Sequence, residues 1–213
     1  MSVDSGSRGR FITLEGTEGV GKTSNLEHVC HLLQRAGYEV VATREPGGTP
    51  LAESIRSLLL EVREEPVDPT VELLMVFAAR AQHVARVIEP ALAAGRWVVC
   101  DRFTDATFAY QGGGRGISME DIATLESLVQ GDLRPDLTLY LDVPVEVAAK
   151  RIAGRDHDRF EREQMDFFER VRKTYLERAA DEPQRVRVVD ARQDLATVQA
   201  EIDRVVAEFL DRS

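Results

Sequence analysis

Eight residues near the amino end, Gly16 to Thr23, read GTEGVGKT and limit the possible folds more than any other stretch. They fit the pattern GxxxxGK[ST], and the apolar run Phe11-Ile12-Thr13-Leu14 leads straight into them. A strand, a glycine-rich turn and a helix in that order make a phosphate cradle. Gly16, Gly19 and Gly21 can take backbone angles that other residues avoid. The N–H groups along Gly16, Thr17, Glu18, Gly19, Val20, Gly21, Lys22 and Thr23 can then converge on an anion with no side chain in the way. A helix starting at about Lys22 adds the positive end of its dipole. Lys22 is expected to reach the outer phosphates of a nucleoside triphosphate such as ATP, and the Thr23 hydroxyl to hold the magnesium that accompanies them. A plain structural turn is the alternative for the same residues.

The rest of the composition sets bounds. With 213 residues, 43% hydrophobic and 30% charged, the chain suits one domain able to bury a core. A net charge of -10 argues against nucleic acid as the main partner, so a phosphate site has to be a local basic patch. Cys30 and Cys100 lack paired spacing and read as buried free thiols of a reducing compartment. His28, His31, His83 and His157 are scattered, with none of the companion ligands a zinc site needs. Residues 1–10, MSVDSGSRGR, have no apolar core of a signal peptide and are expected to be a flexible segment ahead of a single domain at 11–213. No run approaches a membrane span, and a cytoplasmic protein is expected.

Apolar spacing predicts helices over Ser24–Ala36, Leu51–Leu60, Thr70–Ala94, Ser118–Gln130, from near Pro144, on to about Ala180, and over Asp194–Leu210. Five short apolar strands alternate with them: the first at Phe11, then Tyr38–Thr43, Trp97–Cys100, Leu137–Asp142 and Arg185–Val189. This order indicates an α/β fold, a five-stranded parallel sheet covered by helices on both sides. Glu61 to Pro69 is an acidic, proline-broken loop.

Crevices in such sheets open at the carboxyl ends of the strands, which singles out Glu15, Arg44, Asp101, Arg102 and Asp142. Arg44 and Arg102 could grip a second phosphate by forked hydrogen bonds, and Asp101 could hold a magnesium-bound water. Each could equally be a solvated charge at a strand end. Arg80 lies in the most apolar part of its helix, where an unpaired charge is costly. Either it pairs with Glu72 or Glu45, or it bonds a base edge while Phe77 stacks on the ring. Lys150, Arg151, Arg155 and Arg159 cluster about Gly154, either as a solvated helix end or as cationic fingers over a transferring phosphoryl group.

Five motifs occur in order: GTEGVGKT, TREPGGT at Thr43 to Thr49, FAAR at Phe77 to Arg80, DRFTDATFAYQGGGRG at Asp101 to Gly116, and RPDLTLYLDV at Arg134 to Val143. With them the chain resembles the bacterial thymidylate kinases over about residues 10 to 210. The resemblance implies a three-layer P-loop fold of the nucleoside monophosphate kinase type with a short lid at about 150–160. It also implies transfer of the ATP γ-phosphoryl group to dTMP with Mg2+, in a homodimer. It assigns Lys22 and Thr23 to ATP and magnesium, and Glu18 to the sugar 3′-hydroxyl and the neighbouring arginines. Arg44 and Arg102 take the acceptor phosphate, and Arg80, Thr107 and Gln111 the thymine edge. Tyr110 lies against the sugar where a 2′-hydroxyl would clash. Family members often carry the stacking aromatic four residues before the base-reading arginine; that position is Val76 here, and Phe77 takes the stacking role. With Gly19 and Val20 after Glu18, the cradle carries no arginine of its own, so the catalytic arginine is expected from the lid, Arg155 first, with Arg151 and Arg159 as partners. A cis Glu45-Pro46 bond is also implied. The rivals are a GTP-dependent switch, which would need NKxD and DxxG segments that the chain lacks, and a kinase of another nucleoside monophosphate.

Overall fold

The computed structural model describes residues 8–153, 158–161 and 163–212. Five strands, β1 (Phe11–Glu15), β2 (Val40–Arg44), β3 (Trp97–Asp101), β4 (Leu137–Asp142) and β5 (Val186–Asp190), form one sheet in the order β2-β3-β1-β4-β5. Every pairing is parallel. The strand order reverses around β1, so the turn that follows β1 opens at the switch point, where ligands bind in such sheets.

Side chains along β1 alternate between two cores, as the two-residue period of a strand requires. Ile12 and Leu14 pack with Val29 and Leu33 of α1 (Lys22–Arg35) and with Val198, Ile202 and Val206 of α9 (Leu195–Leu210). Phe11 faces the other way, against Ile88, Leu92 and Phe103. On this second face the β1 side chains further along the strand are polar. Thr13 and Thr138 hydroxyls share a hydrogen bond of 2.8 Å. Glu15 accepts from the Phe103 N–H at 2.7 Å and from the Tyr175 hydroxyl at 2.8 Å. Glu15, placed by its sequence position at the mouth of the crevice, is therefore a core carboxyl. Burial and the nearby charge of Asp105 raise its pKa.

The predicted helix over Thr70–Ala94 is α3 (Pro69–His83), a π-helical turn at Val84–Ile88, and α4 (Glu89–Ala93). A second π-helical stretch, Phe108–Gly114, continues α5 (Thr104–Thr107) and carries the whole AYQGGG run, whose structure the sequence left open. π-Helical turns often mark functional sites, and the second one here contributes Tyr110 and Gln111 to the cavity described below. The remaining helices are α2 (Pro50–Leu60), α6 (Met119–Gln130), α7 (Val145–Ile152) and α8 (Met165–Asp181). Of the segment at 1–10 expected to be flexible, residues 1–7 lie outside the described residues. Gly9 donates to the Leu92 carbonyl at 2.9 Å, and Arg8 and Arg10 both pair with Asp136. Residues 8–10 are thus held by the domain instead of forming part of a free segment.

Gly113 and Gly114 are a packing device between the π-helical stretch and α8. A Cβ on Gly113 would meet Thr174 Oγ1 at 2.1 Å and the Arg170 carbonyl at 3.0 Å. A helical glycine in open space gains about 1 kcal/mol when replaced by alanine. Gly113→Ala is expected to do the reverse and lose about 1–3 kcal/mol through overpacking. A urea titration measures it as a lower midpoint at unchanged slope; a raised midpoint would contradict the tight contact.

Candidate active site

The cradle has the backbone that the glycines permit. Gly16, Gly19 and Gly21 have φ of +140°, +78° and +89°, and Gly21 is the left-handed residue from which α1 starts. Lys22 turns back into the loop. Its Nζ donates to the carbonyls of Gly16 at 3.1 Å and Thr17 at 2.7 Å. The Thr23 hydroxyl sits on an exposed residue of the first turn. Asp101, at the end of β3, has a buried Oδ1 with no hydrogen-bond partner among the described residues. A free hydroxyl beside the loop and an unsatisfied buried carboxylate oxygen suit a hard, oxygen-bound dication such as magnesium.

Arg102 follows Asp101 and has φ of +67°, the one positive value outside glycine among the described residues. That conformation costs about 1–2 kcal/mol and is held by what the residue touches. Its N–H donates to the Leu14 carbonyl at 3.0 Å. Its guanidinium donates to Glu18 Oε1 at 2.7 Å, to the Tyr110 hydroxyl at 3.1 Å and to the Gly16 carbonyl at 3.2 Å. The Tyr110 hydroxyl in turn donates to Glu18 Oε2 at 2.9 Å. Burial works to raise the pKa of Glu18, but the Arg102 and Lys22 charges outweigh it and hold the carboxyl below its ordinary value. Arg102 Nε is left without a partner among the described residues.

A cavity opens on the far side of this pair, with Glu18, Arg56, Arg80, Arg102, Tyr110 and Gln111 on its wall. Arg80, 1% exposed, has Glu45 and not Glu72 as its carboxylate partner: its Nε donates to Glu45 Oε2 at 2.7 Å. A second nitrogen donates to Thr107 at 2.9 Å. His83 shares Glu45, at 2.9 Å through Nδ1, and reaches Thr43 through Nε2. The Glu45-Pro46 bond is cis, in line with the resemblance. Phe77, expected to stack on a base, is 2% exposed in a core cluster with Leu73, Phe108 and Ile122. It lies 5.0 Å from the Arg80 guanidinium, and Val76 takes the place on the cavity wall. The helix geometry explains the exchange: adjacent residues point about 100° apart, so only one of the two can face the cavity.

Two of the arginines singled out by the sequence are paired with protein groups. Arg44 forms a half-exposed pair with Glu53 at 2.8 Å and is not on the cavity wall. Arg159 donates to Glu72 at 2.6 Å and to the Leu59 carbonyl at 2.8 Å. Arg151 does lie by the cradle, reaching the carbonyls of Ala191 at 3.0 Å and Gly19 at 3.5 Å. Arg155 lies outside the described residues. Sequence reasoning passed over Arg56, whose guanidinium donates to the Pro46 carbonyl at 3.0 Å. Burial, then the charges of Arg44 and Arg102, lower its pKa, so three guanidiniums bear on one region. The signal was available, since Arg56 shares a helical face with the buried Ala52 and Leu59.

Burial, reinforced by Arg102, lowers the Lys22 ammonium to about 8. A phosphate in the cradle raises it again. Above pH 8 the free chain loses this proton while the triphosphate-bound chain keeps it, so binding takes up a proton, approaching about one at pH 9. Titration calorimetry in buffers of different ionisation enthalpy measures the uptake, and Lys22→Ala should abolish it. Absence of uptake at pH 9 in the native chain would contradict the buried lysine.

The family model for thymidylate kinase matches residues 14–202. A thymidylate kinase of Chromohalobacter salexigens is 62% identical over 205 residues, covering 95% of this chain and 97% of that protein. One from Ectopseudomonas mendocina is 60% identical over 204 residues, covering 95% and 97%. The crystal structure of thymidylate kinase from Ehrlichia chaffeensis superposes with a TM-score of 0.77 at 36% identity, over 94% of this chain and 99% of that one. With a phosphate cradle and an arginine-lined cavity meeting at Glu18 and Arg102, the chain belongs to the thymidylate kinase family.

Proposed function

We propose that the chain holds ATP in the cradle and dTMP in the cavity, and moves the γ-phosphoryl group between them to give ADP and dTDP for dTTP synthesis. The observation that carries this reading is the 2.7 Å pair between Glu18 of the cradle and Arg102 of the cavity wall. It brings the two binding regions to a common border, which in-line transfer needs. A phosphate oxygen of dTMP attacks the γ-phosphorus as the bond to the β–γ bridging oxygen breaks. No general base is required, because a phosphate monoester is already largely ionised.

Arg102, with its unpartnered Nε, and Arg56 face the acceptor phosphate, and Arg44 joins them on leaving Glu53. Lys22 and Arg151, with Arg155 as the resemblance implies, stabilise charge spreading over the transferred group. Thr23 and Asp101 would hold magnesium, which when bound offsets the charge of the phosphates. Glu18 meets the sugar 3′-hydroxyl, and Tyr110 closes the 2′ side. Arg80, Thr107 and Gln111 read the base edge, with Val76 beneath it. Closure of the lid excludes water that would otherwise hydrolyse ATP.

A homodimer fits the exposed apolar side chains Val71 and Leu74 of α3 and Leu128 of α6, on two helices in contact with each other. Among the described residues no helix is long and apolar enough to cross a membrane. The buried free thiols of Cys30 and Cys100 suit the cytoplasm.

Initial rates with ATP as donor and dTMP, dUMP, dCMP, UMP, CMP, GMP or AMP as acceptor test the reading. dTMP is expected to be the best acceptor and the ribonucleotides poor. A preference for GMP or CMP would move the chain to another nucleoside monophosphate and undo the roles of Arg80, Thr107 and Gln111. Lys22→Ala should lower turnover at least about a hundredfold with the fold intact.

A further inference from the structure

Glu72 is fully buried on α3, far in sequence from the cradle, yet three side chains converge on it. Gln111 Nε2 donates to its Oε1 at 2.8 Å. Arg115 Nε donates to the same carboxylate at 3.2 Å, and Arg159 donates to Oε2 at 2.6 Å. Arg159 belongs to the segment whose Asp158 and Phe160 stand on the cavity wall, and Gln111 lines the same cavity.

A glutamine amide can present either a carbonyl or an NH2 to a ligand, since the two ends are nearly isosteric. A carboxylate only accepts, so it binds the NH2 end and leaves the carbonyl for the ligand. Gln111 Oε1 has no other partner among the described residues. We propose that Glu72 is a positioning residue for acceptor choice. Its carboxylate fixes the Gln111 amide so that a hydrogen-bond acceptor faces the base, and it anchors the segment of Arg159 to the same wall. A pyrimidine with a protonated N3, thymine or uracil, donates to that carbonyl. Cytosine, whose N3 is an acceptor, meets it lone pair to lone pair. This rests on the acceptor assignment above.

The test is Glu72→Gln. Arg115 and Arg159 claim the one remaining oxygen at position 72, so its new NH2 faces Gln111 and turns that amide over. The ratio of kcat/KM for dTMP over dCMP should fall at least about tenfold, with the dCMP value itself rising. A purely structural Glu72 would lower both substrates alike, and an unchanged ratio overturns the proposal. Should the variant fail to fold, a crystal structure of the unaltered chain with dTMP decides. Gln111 still bonded to Glu72 with the base N3 on its other end supports the proposal, and Gln111 turned away from Glu72 overturns it. An unaltered chain that phosphorylates dCMP as well as dTMP would instead refute the acceptor assignment, a result visible before any substitution.

Discussion

A buried guanidinium cannot stand unpaired, and the depth at which each pair lies decides what it can do. Arg80 and Glu45 are 1% and 3% exposed as side chains, and breaking such a pair leaves a buried charge at a cost of about 3–5 kcal/mol. Arg80 is therefore a fixed part of the wall. Arg44 and Glu53 are 54% and 38% exposed, and pairs of that kind contribute about 0–1 kcal/mol. Little holds Arg44 to its carboxylate. Arg102 and Glu18 lie between, at 17% and 15%. That intermediate depth suits a pair standing where an anion arrives: ordered beforehand, but with a donor to spare.

The backbone supports the same division. β1 delivers the cradle, β3 delivers Asp101 and the left-handed Arg102, and the parallel register places Leu14 opposite Asp101. The α5 and π-helical run is fixed from behind by Asp105, which accepts from Arg178 at 2.5 Å and Arg185 at 2.7 Å. From that base Thr107, Tyr110 and Gln111 reach Arg80, Arg102 with Glu18, and Glu72 respectively. Glu72 also receives Arg159, so the segment at 158–160 and the cavity wall at Gln111 share one buried carboxylate.

Much of this was legible in the residues. The cradle, the five strands and the crevice positions of Asp101 and Arg102 follow from local pattern, because glycine angles and two-residue alternation are properties of short stretches. What escaped depends on distance along the chain. Arg80 had two candidate carboxylates, and only the folded packing of α3 against the loop after β2 selects Glu45 over Glu72. Phe77 and Val76 are adjacent, and helical rotation, set by contacts with Phe108 and Ile122, determines which one faces the cavity. Arg159 reads as a lid cation, yet its partner lies 87 residues away. The anchoring of residues 8–10 relies on Asp136 and Leu92, which no local signal connects to them.

In the proposed reaction, donor and acceptor phosphates meet directly across Glu18 and Arg102, with no protein group between them. The stereochemical course of transfer from ATP made chiral at the γ-phosphorus by isotopic oxygen tests it most directly. A single in-line displacement gives dTDP with inverted configuration at the transferred phosphorus. Retention would require two displacements through a phosphorylated side chain, and would contradict the account.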